Sequence, residues 1–164
     1  GETTSKGIEL DITYKPIDDF NIMAGYSYND MRYTETTGAT GSFIEGDRLV
    51  RTPQHTANLS FFYTVQTGVL KNVSVGAIGN YIGDRLGGWN NQVNPAYPNG
   101  IWDREIPVNG YTTIDVSLGY NWKQFSLLCK LSNITNELNY TLHENYSVNP
   151  IAPRQILTSL RYKF

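Results

Sequence analysis

Catalysis needs groups at workable spacing, and the two histidines of this 164-residue chain lack such partners. His55 follows Thr52-Pro53 at the start of an alternating run, where a structural or interfacial role accounts for it. His143 lies in a polar stretch beside Glu144 and Tyr146. Neither stands at an informative distance from a serine and an acid, so hydrolysis by a Ser-His-acid set has no residues to carry it. Cys129 is the single cysteine, which excludes an intrachain disulfide and a cysteine-based metal site within the chain. Its neighbours put it on an apolar strand face, as a small hydrophobe. The acidic residues are scattered without the pairing that holds calcium. A net charge of -2 gives no reason to expect nucleic acid. Asn72, Asn133 and Asn139 fit the N-glycosylation pattern, a match that chance explains.

The chemistry left is recognition. Arg85, Trp89, Tyr97, Trp102 and Arg104 fall within one long polar link, and His143 and Tyr146 fall within another. Aromatic faces and guanidinium groups suit a ligand that carries negative charge and flat rings. The competing reading is that these aromatics pack their loop against neighbouring loops, and that loop polarity alone explains His143.

Such loops need a frame, and the alternation of the chain supplies one. Residues 154–164 read R-Q-I-L-T-S-L-R-Y-K-F. Phe164, Tyr162, Leu160, Thr158 and Ile156 alternate with Lys163, Arg161, Ser159 and Gln155, and Leu157 is the exception. A period of two marks a strand with one apolar face, and roughly 9–11 tilted residues cross a bilayer as one barrel strand. Six earlier stretches show the same pattern. They are residues 7–14 (Ile8, Leu10, Ile12, Tyr14), 20–28 (Phe20, Ile22, Ala24, Tyr26, Tyr28) and 56–65 (Ala57, Leu59, Phe61, Tyr63, Val65). Then come 70–83 (Val73, Val75, Ala77, Tyr81), 111–122 (Ile114, Val116, Leu118, Tyr120, Trp122) and 125–134 (Phe125, Leu127, Cys129, Leu131).

The links between them alternate short and long. Turns near residues 16–19, 66–68 and 123–124 are short, while 34–51, 84–107 and 135–152 are long. Outer-membrane barrels carry tight turns on the periplasmic rim and long loops on the other, which puts Phe164 on the periplasmic side. No apolar run approaches eighteen residues, so there is no transmembrane helix; barrel strands alternate and read as mildly polar. Twelve Tyr, three Trp and fifteen Gly fit an all-β chain with aromatic belts. Small or polar inward positions such as Gly25, Ser27, Asn58, Ser60, Ser117 and Gly119 suit a wet or plugged lumen. A soluble ligand-binding barrel of this length would fill its interior with apolar side chains. The expected fold is therefore all-β, an antiparallel up-and-down transmembrane β-barrel. Seven strands do not close such a barrel, whose bacterial single-chain examples have even counts. The chain is expected to be the last seven strands of a larger one, residues 1–164 holding no plug domain.

Several motifs in order along the chain resemble TonB-dependent outer-membrane receptors of the siderophore-receptor type. They are G-I-E-L at 7–10, G-D-R-L-V-R-T-P-Q-H at 46–55, L-S-N-I-T-N-E-L-N-Y at 131–140, Pro153-Arg154 and the terminal Y-K-F. Ala152 stands where that family usually has Gly, so the turn there is expected to differ. The resemblance spans nearly the whole chain. It implies a 22-stranded barrel in outer-membrane lipid, plugged by an N-terminal domain and energised by the TonB complex through that plug. It implies a ferric siderophore or similar scarce ligand as cargo, no cofactor bound by this chain, and no enzymatic activity. It also implies that the barrel-assembly machinery reads Leu160, Tyr162 and Phe164 as an address. A passive porin or adhesion barrel, without plug, is the alternative from another class.

Overall fold

The computed structural model describes residues 1–36, 45–89, 105–143 and 147–164. In these residues the chain forms strands joined by turns and loops. The strands are β1 (Glu2–Ile17), β2 (Phe20–Glu35), β3 (His55–Thr64), β4 (Val73–Ile82), β5 (Arg85–Trp89) and β6 (Glu105–Val108). They continue with β7 (Tyr111–Trp122), β8 (Phe125–Ser132), β9 (Tyr140–Leu142), β10 (Val148–Pro150) and β11 (Gln155–Tyr162). Seven of them make one antiparallel meander in the order β1-β2-β3-β4-β7-β8-β11. β5 pairs with β6 and β9 with β10 as separate two-stranded hairpins.

The register explains why alternation was so legible. Directly paired residues share a face, and Ile22↔Phe61, Phe61↔Ala77, Ala77↔Val116, Val116↔Leu131 and Leu131↔Ile156 form one unbroken apolar row. The neighbouring row on that face joins Val75, Leu118 and Cys129. This face is bare: Ile8 is 70% exposed, Leu118 56% and Leu160 67%. The expected outward residues Ile12, Tyr26, Leu59, Phe61, Val75, Val116 and Leu127 are exposed with them. A continuous apolar surface of this extent is stable only against another apolar phase. Among the described residues the buried apolar side chains are Leu86 and Trp89, both in the β5–β6 hairpin. The sheet thus has no apolar core behind it, and its polar face lines a lumen.

Short and long links alternate as expected. Residues 18–19, 65–72 and 123–124 turn tightly, with Gly68, Asn72 and Lys123 in the left-handed region at φ 77°, 68° and 51°. The links at 36–54, 83–110 and 133–154 leave the opposite rim. The Lys163 amide donates to the Gln124 carbonyl at 2.9 Å, which puts the end of β11 beside a short turn.

Two features differ from the sequence reading. β1 and β2 run on past Gly7 and Tyr28 as a polar ladder, Thr4↔Arg32, Lys6↔Asp30 and Gly7↔Asn29, which no apolar alternation marks. The links after β4 and β8 also contain the hairpins β5–β6 and β9–β10 rather than irregular chain alone.

Candidate functional site

The long-link rim is built around a buried arginine. Asp84 ends the transmembrane run by accepting the Gly110 amide at 2.7 Å, and β5 then folds against β6. Arg85 is 5% exposed. Its Nη2 donates to the Asn109 carbonyl at 3.2 Å and to Asn139 Oδ1 at 3.1 Å, and its guanidinium lies 5.1 Å from the Tyr111 ring centroid. Asn139 returns a bond from Nδ2 to the same Asn109 carbonyl at 3.2 Å, and its Oδ1 accepts the Tyr140 amide. The loop after β4 and the loop after β8 are thereby joined at their bases. The loop after β2 joins through the Arg51 amide, which donates to the Leu86 carbonyl at 2.7 Å. Trp89 adds a ring contact with Tyr33 of β2 at 6.1 Å. Burial pushes the Tyr33 hydroxyl above its ordinary pKa, so the ring stays neutral there.

A second polar knot sits below the β9–β10 hairpin. Asn133, in the left-handed region at φ 49°, is 4% exposed. Its Nδ2 donates to the carbonyls of Glu137 at 3.0 Å and Ala152 at 2.9 Å, and its Oδ1 accepts the Glu137 amide at 2.8 Å. Its own amide donates to Asp115 Oδ1 at 2.9 Å, while Asp115 Oδ2 pairs with Lys130 Nζ at 2.6 Å. Asn136 Oδ1 accepts the Arg154 amide at 3.1 Å. Asn133 and Asn136 thus tie the loop to residues 152–154 ahead of β11, and Asn139 ties it to the stem of the β5–β6 loop. Asn133 and Asn139 were read from sequence only as chance glycosylation matches.

Of the recognition residues, the structure brings Arg85 and Trp89 together in the buried loop base. His143 is exposed in the β9–β10 turn, where its amide donates to the Ser147 carbonyl. Tyr97, Trp102, Arg104 and Tyr146 lie outside the described residues. His55 stands on the outward face, its Nδ1 2.9 Å from the Tyr26 hydroxyl and its ring 5.1 Å from Tyr28. That is an interfacial aromatic cluster. On the lumen face a recess of about 340 Å³ opens between β3, β4, β7 and β8. Phe62, Ile78 and Leu128 line it together with Asp115 and Lys130. Gly76 makes room: a Cβ there would sit 2.8 Å from the Phe62 ring and 2.6 Å from Ser117 Oγ. At the far end of β11, Leu160 pairs with Leu127 and Tyr162 with Phe125, while the Phe164 ring lies 5.0 Å from Tyr162.

An antiparallel arc with a bare apolar belt, a polar lumen face and all its long loops on one rim is the wall of a membrane barrel. The chain belongs to the TonB dependent receptor-like, beta-barrel family, whose model matches residues 1–136. Barrels of this family lie in the outer membrane of Gram-negative bacteria, and the seven strands form part of such a wall. The chain is 25% identical over its whole length to a metal-pseudopaline receptor of Pseudomonas aeruginosa, of which it covers 21%. It is 23% identical to a ferrichrome outer membrane transporter/phage receptor of Escherichia coli, again over its whole length and 20% of that protein. Among solved structures, the ferric preacinetobactin receptor BauA of Acinetobacter baumannii shares the fold at a TM-score of 0.78. There the identity is 22%, over 99% of this chain and 22% of that one. The chain thus spans about a fifth of the length of the curated relatives it matches.

Proposed function

We propose that these strands and loops belong to a receptor that imports a ferric siderophore or a similar metal chelate across the outer membrane, driven by the TonB complex. In this reading the seven strands close a 22-stranded barrel, and a plug domain elsewhere in the polypeptide fills the lumen and meets the energising partner. The observation that carries the reading is the clasped loop base. Three long loops tied together by Arg85, Asn139 and Leu86 on one rim make a preorganised mouth, which a merely passive pore does not need. The relatives named above, receptors and transporters for metal chelates, point to the same cargo class and to no enzymatic step. Ligand contacts are assigned to the loop aromatics and cations Tyr97, Trp102, Arg104, His143 and Tyr146, while Trp89, buried against Tyr33, supports them from the loop base. Arg85 acts from beneath as the residue that positions them.

The test is uptake of radiolabelled iron chelates by iron-starved cells that carry or lack the gene for this receptor. Uptake should require the gene, saturate at low ligand concentration, and stop when the inner-membrane proton gradient is collapsed or TonB is removed. Uptake that proceeds without either energy source would establish the passive-pore alternative instead.

A further inference from the structure

The short-turn rim carries charge of one sign over more than half of its described length. Residues 65–73, 119–127 and 159–164 hold Lys71, Lys123, Arg161 and Lys163 and no carboxylate side chain. At the β1–β2 turn the charges cancel instead, Lys15 pairing with Asp18 at 3.4 Å and Asp19 accepting Gln66 Nε2 at 2.7 Å. The opposite rim is mixed as well, with Arg32 on Asp30 at 2.8 Å and Glu2 opposite Glu35. Backbone bonds set the basic turns side by side. The Asn121 amide donates to the Asn72 carbonyl, and the Lys163 amide to the Gln124 carbonyl.

Above this edge, on the lipid-facing side, runs an aromatic ladder. Trp122 stacks on Phe125 at 6.1 Å, Phe125 meets Tyr162 at 5.0 Å, and Tyr162 meets Phe164 at 5.0 Å. Lys123 turns back over the ladder, its Nζ 5.2 Å from the Trp122 ring centroid. Aromatic belts mark the level where hydrocarbon gives way to headgroups. The ammonium of Lys123 is therefore held at headgroup height on the outer surface of the barrel. A compact cation beside an indole, with no acid in its own stretch of rim, fits a lipid phosphodiester. We propose that Lys123 on Trp122, flanked by Lys71, binds the headgroup of an anionic phospholipid in the leaflet at the short-turn side. The proposal rests on the membrane orientation of the barrel and not on import, so its failure leaves the import reading untouched.

The experiment uses the full-length receptor, purified and delipidated in detergent, then mixed with equal amounts of phosphatidylglycerol and phosphatidylethanolamine. Native mass spectrometry reads the ratio of the two lipids retained. Heat-modifiable migration selects folded material in every sample. The parent should prefer phosphatidylglycerol, and Lys123→Gln and Lys71→Gln should each lower the preference about fivefold, the usual worth of one basic residue near an anionic surface. Lys6→Gln on the opposite rim should leave it unchanged. A parent with no preference, or lysine variants that keep the parent's ratio, overturns the proposal. So does Lys123→Gln if it slows assembly in cells while the assembled receptor keeps its preference, because the edge then serves a protein partner.

Discussion

Arg85 and Asn139 show how much depends on single side chains at the mouth. Truncating Asn139 removes one of the two acceptors of Arg85 Nη2, one of the two donors to the Asn109 carbonyl, and the acceptor of the Tyr140 amide. Each hydrogen bond lost is worth about 0.5–1.5 kcal/mol. Asn139→Ala should therefore lower hydrogen-exchange protection at residues 85–89 and 105–111 and speed proteolysis of the loop after β4. The melting of the barrel itself should change little, because the seven-strand ladder does not pass through this clasp. Asp30 gives a pH-dependent counterpart beyond the apolar belt. Arg32, first through its hydrogen bond at 2.8 Å, holds this carboxyl below the ordinary carboxylate range, and Gln54 Nε2 adds a second donor. A depressed carboxyl stabilises above its unfolded value and stops doing so as pH falls through the folded one. The attachment of residues 45–49 to β2 should thus be constant from about pH 5 upward and loosen below about pH 4. Amide exchange at Gly46 and Leu49 as a function of pH checks it, and Asp30→Asn should remove the dependence.

At the scale of elements, the face assignment has a sharp test in two adjacent residues of β7. Leu118 lies between Val75 and Cys129 on the bare face, while Ser117 lies between Gly76 and Lys130 on the lumen face. Leu118→Arg should cost roughly 2–4 kcal/mol of barrel stability, the known penalty near a bilayer midplane. Ser117→Arg, which enters the lumen recess, should cost much less; equal losses of unfolding free energy in lipid would overturn the assignment. The terminal strand offers another expectation. Phe164, Tyr162 and Leu160 form one ridge that can seat in a groove while the strand's backbone adds to a waiting sheet edge. Deleting Phe164 should reduce the fraction of receptor reaching a heat-modifiable form in cells more than it lowers the unfolding midpoint of what assembles. Lys163→Ser should change neither. The seven main strands were legible in sequence because each buries one face in lipid, and that burial imposes a strict period of two. The polar ends of β1 and β2 and the hairpins β5–β6 and β9–β10 escaped. Thr4, Lys6, Asp30 and Arg32 are exposed or half-exposed and bury no face in lipid, so nothing forces their side chains to alternate in polarity. The clasp escaped for a related reason: a buried Arg–Asn bond joins residues 54 positions apart, and no local pattern announces it.

For the whole molecule, the decisive feature is an open arc. β1 pairs only with β2, and β11 only with β8, among the described residues. Each outer edge therefore offers a row of unsatisfied backbone groups that hydrocarbon does not tolerate. Expressed by itself, the 164-residue chain should fail to give a monomeric, heat-modifiable band and should be digested by added protease in isolated outer membranes. The same strands inside the full receptor should resist both treatments. A discrete, detergent-resistant monomer of the chain alone would mean that these seven strands close on themselves. The clasp at the loop bases has one more consequence, for the way such proteins diversify. Arg85, Asn109 and Asn139 fasten the stems, and Leu86 and Trp89 pack the base above them, so the work of holding the mouth together is concentrated in these few residues. The loop tips are then expected to behave as exchangeable cassettes. Grafts joined after Trp89 and before Glu105 should transplant without loss of expression, whereas grafts that sever the fastening should not.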